Sequence, residues 1–116
     1  MARDIVTEIQ QEITANKVIV YMKGTPSFPQ CGFSAATVEA LRETGVPFAH
    51  VNILEDPEKR EAIKTFSNWP TIPQVFVGGK FIGGCDIVRE LYANGELEQL
   101  VKTAVAGDAG KTGSPQ

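Results

Sequence analysis

Apolar residues recur along the chain with spacings that predict an alternation of helices and strands. Ile5, Ile9 and Ile13 stand four residues apart, which indicates the apolar face of a first helix that ends near Asn16. The run Val18–Met22 that follows is apolar at every position and rich in β-branched residues. Such a run is typical of a central strand that helices cover on both faces.

A loop and a second helix follow this first strand. Two prolines within residues 24–30 exclude both a helix and a ladder strand there. Residues 34–44 have a helical composition, and Ala35, Val38 and Leu41 lie on one face of the predicted helix. We therefore expect a strand–loop–helix unit in which these three side chains pack on the sheet.

The middle of the chain predicts a second such unit and then a hairpin. Residues 48–53 alternate as a strand does, and Asp56 followed by proline indicates the start of a third helix. Two short strands, Gln74–Val77 and residues 80–82, flank a Gly-Gly pair of the kind that two-residue hairpins use. The hairpin adds antiparallel strands to a sheet whose first two strands are parallel.

The last third of the chain predicts two more helices. Asp86 is expected to cap the fourth helix, and residues 96–105 form the fifth. The chain is thus predicted to be an α/β protein with one domain over residues 1–106, built on a mixed, four-stranded sheet flanked by helices. Residues 107–116 lack periodicity and are predicted to be a disordered tail.

Composition narrows the class of protein and the compartment. Of the 116 residues, 42% are hydrophobic and 22% are charged, as in an ordinary globular domain. The net charge of −3 argues against nucleic acid and anionic membrane surfaces, and no apolar run reaches the roughly 18 residues of a membrane span. Two cysteines and no recognisable signal or transit segment predict a reducing cytosol, bacterial in the first instance, or a mitochondrial matrix if the chain is a processed one.

Cys31 is the candidate reactive residue. It stands between the first predicted strand and its helix, at the carboxyl end of the sheet, where α/β folds place their ligands. The start of a helix stabilises a thiolate through its dipole and its unpaired N–H groups, and Lys23 adds a positive charge at the strand end. A buried structural cysteine is the alternative, but the prolines and Gly32 nearby offer little apolar cover.

Ser34 stands where a two-cysteine redox loop would carry its second sulfur. A serine cannot resolve a mixed disulfide, so an adduct on Cys31 has to pass to an external thiol. Serine is also a preferred helix N-cap, and the two roles are compatible.

A second cysteine and one histidine complete the candidate chemistry. Cys85 follows a Gly-Gly pair and precedes Asp86, where a predicted helix start can bind a carboxylate through its N–H groups. A plain turn and a plain N-cap explain the same residues equally well. His50 lies in a predicted strand far from any second ligand and is expected to be structural, and no cluster of His, Cys and Asp has the spacing of a zinc site.

Three parts of the sequence together resemble one family. KGTPSFPQCGFS at residues 23–34, NWPTIPQVFVGGKFIGGCDIV at residues 68–88 and the helices between them are similar to the monothiol, CGFS-type glutaredoxins, a branch of the thioredoxin-like superfamily. The resemblance covers roughly residues 3–105, without a departure at the family's motif positions. It implies a single thioredoxin-like domain.

The resemblance also implies roles for individual residues. It makes Cys31 the active thiolate, and it implies a glutathione site of six residues: Lys23, Arg60, Ile72, Pro73, Cys85 and Asp86. The two cations would bind the glycine carboxylate, the Ile72 backbone would pair with the cysteinyl part, and residues 85 and 86 would hold the γ-glutamyl end. Pro73 would follow a cis peptide bond.

Two functions from different classes follow from the resemblance. In the first, the chain is an oxidoreductase: Cys31 attacks a glutathione mixed disulfide, and a second glutathione regenerates the thiolate. In the second, Cys31 is a ligand of a [2Fe–2S] cluster in a homodimer, and two glutathiones complete the four thiolate ligands. Cys31 and Cys85 from both chains are a less favoured ligand set. The resemblance implies BolA-like partners and delivery of clusters to apo iron–sulfur proteins, and we predict this carrier function.

Overall fold

The order of helices and strands in the computed structural model, which describes residues 3–113, is the predicted one with a single addition. A 3-10 helix, Ile53–Glu55, follows the second strand. The helices are α1 (Ile5–Ala15), α2 (Gly32–Glu43), α3 (Pro57–Ser67), α4 (Cys85–Ala93) and α5 (Glu96–Gly113), and the strands are β1 (Val18–Met22), β2 (Ala49–Asn52), β3 (Gln74–Val77) and β4 (Lys80–Gly83).

The four strands form one mixed sheet in the order β2-β1-β3-β4. β1 runs parallel to β2, through the crossover helix α2, and antiparallel to β3. β3 and β4 form the predicted hairpin, and Gly78 and Gly79 at its turn have φ values of 61° and 82°. Both values are positive, as this class of tight hairpin turn requires. The predicted mixed, four-stranded sheet is therefore confirmed.

Every side chain of β1 is buried, because helices cover both faces of the sheet. Val18, Val20 and Met22 pack in one cluster with α2, α4 and α5. Ile19 and Tyr21, which point to the opposite face, pack in a second cluster with α1 and α3. The prediction of a central strand covered on both sides is confirmed.

Helix α2 differs from its prediction in where it begins and in what it buries. It starts at Gly32 rather than at residue 34, and Ala35 is exposed although the sequence pattern places it on the buried face. Ser34 and Thr37 are buried instead, beside Val38. These hydroxyls can be buried because each makes a hydrogen bond: Thr37 donates to the Phe33 carbonyl oxygen at 2.8 Å, and Ser34 accepts from Lys23 N–H at 3.0 Å.

Two further boundaries are corrected. α4 begins at Cys85, with Gly84 as its N-cap, so the prediction that Asp86 caps this helix is wrong. Asp86 lies in the first turn, where its charge complements the helix dipole. β2 is shorter than residues 48–53, because the Asn52 side chain accepts a hydrogen bond from Leu54 N–H and starts the 3-10 helix.

The last helix is longer than predicted. α5 continues through residues 107–113, which were predicted to belong to a disordered tail. This stretch has one alanine and three glycines, so its own helix propensity is weak. Extending a helix that has already formed nevertheless adds one backbone hydrogen bond per residue without repeating the cost of nucleation. Residues 114–116 of the predicted tail lie outside the described residues.

Two expectations concern the outside of the molecule. Among residues 3–113, no helix combines the length and the apolar composition of a membrane span. His50 lies on β2, at the edge of the sheet, and its side chain is exposed rather than built into the core.

Candidate functional site

A groove of about 480 Å³ opens where β1 ends, between α3, the segment that joins α3 to β3, and the start of α4. The structure brings the six residues of the predicted glutathione site together in its lining: Lys23, Arg60, Ile72, Pro73, Cys85 and Asp86. Cys31 lies outside this lining, two residues before Phe33, which belongs to it. The tertiary structure thus gathers residues that are up to 63 positions apart in the chain.

Cys31 is the N-cap of α2 and a free, partly exposed thiol. Partial burial by itself would raise the pKa of this thiol. Hydrogen bonds from the backbone N–H groups of Ser34 and Phe33, the Ser34 hydroxyl and the charge of Lys23 outweigh that effect and hold the pKa below its ordinary value. The direction agrees with the predicted thiolate, and the exposure argues against a buried structural cysteine.

Ser34 is not the helix cap that its residue type suggested. It is the third residue of α2, its side chain is fully buried, and its Oγ accepts a hydrogen bond from Lys23 N–H at 3.0 Å. A hydroxyl that accepts one hydrogen bond keeps its own proton to donate, here to the Cys31 sulfur. Ser34 therefore joins the end of β1 to the thiolate.

The loop between β1 and Cys31 is held by backbone groups and one side chain. The Lys23 carbonyl oxygen accepts from Gln30 N–H at 2.8 Å, and Gly24 N–H donates to Asn52 Oδ1 at 2.9 Å. Gly24 has a φ of 91°, and a Cβ there would stand 2.4 Å from the Phe28 carbonyl oxygen. Only glycine fits this position, which fixes the path of the chain into the site.

Charge is distributed unevenly along the groove. Lys23, Arg60 and Lys64 contribute three positive charges, and Asp86 contributes the one carboxylate of the lining. The first turn of α4, at Cys85 and Asp86, adds backbone N–H groups that have no partner within the helix. The groove therefore suits a ligand that carries carboxylates at both ends and an amino group near one of them.

Residues 69–73 form one side of the groove and are called the groove wall below; all five line the groove. The Ile72–Pro73 peptide bond is cis, as the family resemblance implies. The start of α4 packs closely against this wall: a Cβ on Gly84 would lie 3.0 Å from Trp69 Nε1 and 3.1 Å from the Pro73 carbonyl oxygen. A larger residue at position 84 would push the wall and the helix apart.

The sequence analysis did not predict seven of the lining residues: Phe33, Lys64, Trp69, Pro70, Thr71, Gly84 and Ile87. Lys64 follows Arg60 by one helical turn, so its place on the same face of α3 could have been read from the spacing. Phe33 and Trp69 carry no such signal. Cys85, the first residue of α4, lines the groove but is only 7% exposed. Within residues 3–113, no group of three or more His, Cys, Asp and Glu side chains is arranged to hold a metal ion.

Comparison with known proteins gives a consistent family. The glutaredoxin family profile matches residues 18–82. A monothiol glutaredoxin of Synechocystis sp. is 55% identical over 98 residues, which cover 84% of this chain and 92% of that protein. The solution structure of reduced poplar apo GrxS14 has a TM-score of 0.78 and 45% identity, covering 88% of this chain and 94% of that one.

A more distant structure shows a related protein with a ligand. The crystal structure of a buckwheat glutaredoxin–glutathione complex has a TM-score of 0.77 and 25% identity, and the match covers 88% of this chain and 91% of that one. Taken with the groove, the partly exposed Cys31 and the serine at position 34, these likenesses are decisive. The chain belongs to the glutaredoxin family, in its monothiol branch.

Proposed function

We propose that this glutaredoxin binds glutathione in the groove and, as a homodimer, carries a [2Fe–2S] cluster for transfer. Cys31 of each chain and the thiolates of two glutathiones would be the four ligands. The observation that carries the proposal is a partly exposed thiol, Cys31, with no second cysteine beside it and next to a groove that holds all six predicted glutathione residues.

Glutathione suits the groove chemically. The tripeptide has one carboxylate at its glycine end, and a carboxylate with an ammonium group at its γ-glutamyl end. The cations Lys23 and Arg60 match the first end, with Lys64 beside them, and the start of α4 with Asp86 matches the second. The buckwheat relative, which is described with glutathione bound, supports this assignment.

The supply of sulfur favours a cluster shared between two chains. A [2Fe–2S] cluster needs four ligands, and the chain has two cysteines. Cys85 is 7% exposed and Cys31 is the more accessible thiol. Ser34 adds no competing thiol next to Cys31, so external thiolates fit the remaining positions. Two exchangeable ligands and an interface that can part suit delivery better than permanent storage.

Cluster loading tests the proposal directly. Chain reconstituted anaerobically with iron, sulfide and glutathione should be brown and elute as a dimer, whereas Cys31→Ser should stay colourless and monomeric. Cys85→Ser is the matched control and should load as wild type does. Cluster loss in Cys85→Ser would favour four protein thiolates, and a full cluster in Cys31→Ser would overturn the ligand assignment.

Glutathione binding can be measured without a cluster. Trp69 is the single tryptophan of the chain and lines the groove, so its fluorescence should respond to S-methylglutathione, which cannot form a disulfide. Arg60→Ala should weaken binding by about tenfold, the effect of one charge-assisted hydrogen bond. Arg42→Ala, on the exposed side of α2, is the control and should bind normally. Equal affinities in both variants would remove glutathione from this groove.

The second candidate function is a monothiol oxidoreductase, which the lowered pKa of Cys31 supports. The Cys31 thiolate would attack the glutathione sulfur of a mixed disulfide, forming a new S–S bond while the client thiolate leaves. A second glutathione thiolate would then attack that sulfur, releasing oxidised glutathione and restoring the Cys31 thiolate. Rapid turnover of a glutathionylated peptide by cluster-free monomer would favour this function over the carrier.

The proposed function also includes partner proteins and a cellular compartment. Transfer requires apo iron–sulfur proteins as acceptors, and the family resemblance adds BolA-like proteins and a cytosolic setting. A labelled cluster that moves from the loaded dimer to an apo ferredoxin, without release of free iron to a chelator, would support transfer.

A further inference from the structure

The groove wall needs support from the protein beneath it. Residues 69–73 belong to no helix or strand, so their carbonyl groups have no ladder to bond to. Two of these carbonyls accept hydrogen bonds from a single side-chain nitrogen. Nε2 of Gln74 donates to the Trp69 carbonyl oxygen at 3.0 Å and to the Thr71 carbonyl oxygen at 3.1 Å.

Gln74 is placed to act on the wall without touching a ligand. It is the first residue of β3, it is fully buried, and it is not part of the groove lining. It pairs with Tyr21 on β1, so its backbone is fixed at the start of β3 between neighbouring strands of the sheet. A neutral amide offers two hydrogens on one nitrogen, which neither an ionised carboxylate nor a thioether can supply.

One of the two bonds sets the direction of a group on the groove side. The bond to Thr71 fixes the plane of the Thr71–Ile72 peptide. In a trans peptide the C=O and N–H groups point in opposite directions, so the Ile72 N–H is turned away from Gln74, and Ile72 itself lines the groove. The Ile72 backbone is the predicted partner of the cysteinyl part of glutathione.

We propose that Gln74 is a positioning residue, whose amide holds the groove wall so that the Ile72 backbone faces the bound tripeptide. This inference rests on the proposed glutathione function. It assigns a role in ligand binding to a residue that is buried under the site.

Binding of S-methylglutathione, read from Trp69 fluorescence, tests the assignment. Gln74→Met keeps the length of the side chain, removes both donors and should raise the Kd by about tenfold. Gln74→Glu has the same shape but places a carboxylate against two carbonyl oxygens, so its Kd should rise further. The alkylation rate of Cys31 should stay at the wild-type value in Gln74→Met, which separates a local effect from general loosening.

Thr44→Val is the matched control, because Thr44 is buried and its hydroxyl bonds to two backbone groups at the far end of α2. It should lower stability and leave the Kd unchanged. If Gln74→Met binds as tightly as wild type, or if Thr44→Val weakens binding equally, the positioning role is overturned.

Hydrogen exchange of the wall gives a readout that needs no ligand. The amides of Trp69, Thr71 and Ile72 should exchange faster in Gln74→Met than in wild type, whereas in Thr44→Val they should exchange at the wild-type rate. Unchanged exchange would contradict the proposal. Faster exchange in a protein whose wild type ignores S-methylglutathione would uphold the support of the wall by Gln74 and reject glutathione as the ligand.

Discussion

At the scale of single residues, the site is organised around the Ser34 hydroxyl as much as around Cys31. Ser34 replaces the second thiol of a redox loop, yet it is fully buried and bonded on both sides. Its oxygen accepts from Lys23 N–H, and its proton serves the Cys31 sulfur. The serine thus removes an intramolecular disulfide route and stabilises the thiolate that is left.

The pH dependence of Cys31 alkylation follows from these contacts. The pKa of Cys31 is lowered, so its alkylation rate should reach half of its plateau at a lower pH in the folded protein than in the unfolded chain. Ser34→Ala removes a donor to the thiolate and should move this midpoint to higher pH. Thr37→Val, which removes a buried hydroxyl one turn later, is the control. An unchanged midpoint in Ser34→Ala would show that the hydroxyl does not stabilise the thiolate.

At the scale of elements, an ion-pair network joins the start of α1 to the start of α3. Arg3 contacts Glu8 at 2.6 Å, Asp56 at 2.5 Å and Glu58 at 3.2 Å. Lys59, which is buried, pairs with Glu12, and Glu12 accepts from the Tyr21 hydroxyl at 2.7 Å. Burial and the Glu12 contact raise the pKa of Tyr21. Because α3 also carries Arg60 and Lys64, this network anchors the helix that supplies the groove cations.

Stability in acid should report on this network. Hydrogen bonds from Arg3 are the largest cause that lowers the pKa of Glu8 to about 2 and that of Asp56 to about 2. Both values lie below the unfolded values of roughly 4.3 and 3.9, so the stabilisation is present above about pH 4.5 and is lost as the pH falls toward 2.

Arg3→Ala should therefore lower the Tm at pH 6, and its difference from wild type should shrink steadily between pH 5 and pH 2. Thermal scans across this range measure it. Lys102→Ala removes an exposed pair with Glu98 on α5 and is the control for a simple loss of charge. A difference for Arg3→Ala that is independent of pH would contradict the role of the carboxylates.

Substitutions at two glycines can distinguish the cost of backbone strain from the cost of a steric clash. Gly24 and Gly79 both have positive φ values, of 91° and 82°, but a Cβ on Gly79 meets nothing within 4 Å. Gly79→Ala should destabilise the fold by about 1–2 kcal/mol, the cost of a left-handed conformation. Gly24→Ala should cost about 2 kcal/mol more than that and should slow Cys31 alkylation, because the Phe28 carbonyl has to move. Chemical denaturation measures the free energy of unfolding of both variants. Equal losses would mean that the loop around residue 24 can shift to accept a Cβ at no cost.

At the scale of the whole molecule, two hydrophobic clusters lie on opposite faces of one sheet and share β1. The first contains Leu41 of α2, and the second contains Ile63 of α3. Because alternate residues of β1 belong to the two clusters, neither cluster can form without the strand that the other needs. The groove lies where the helices of both faces meet the end of this strand.

Unfolding should accordingly be a single transition. Leu41→Ala and Ile63→Ala each leave a cavity in one cluster and should each cost about 3 kcal/mol. In both variants, Trp69 fluorescence and far-ultraviolet circular dichroism should give coincident denaturation curves. Separate midpoints for the two signals in either variant would show that the faces unfold independently.

The sequence by itself determined most of the elements and the family. Apolar spacing predicted α1, and the continuous run in β1 predicted a covered central strand, because burial on two faces leaves no room for polar residues. Asp56 followed by proline predicted the start of α3, and the Gly-Gly pair predicted the turn of the hairpin. The motifs around Cys31 and Asp86 indicated the family, and the resemblance to that family implied the site residues.

Only the tertiary structure decided how the site is held together. Whether Ser34 caps a helix or bonds Lys23 depends on a contact between residues 11 positions apart. Whether Gln74 is an ordinary strand residue or a support for the groove wall depends on how the chain turns at residues 69–73. Local pattern carries the preference of a residue for helix, strand or turn. It does not carry the partner of a buried polar group, because that partner is chosen by the path of the folded chain around the group.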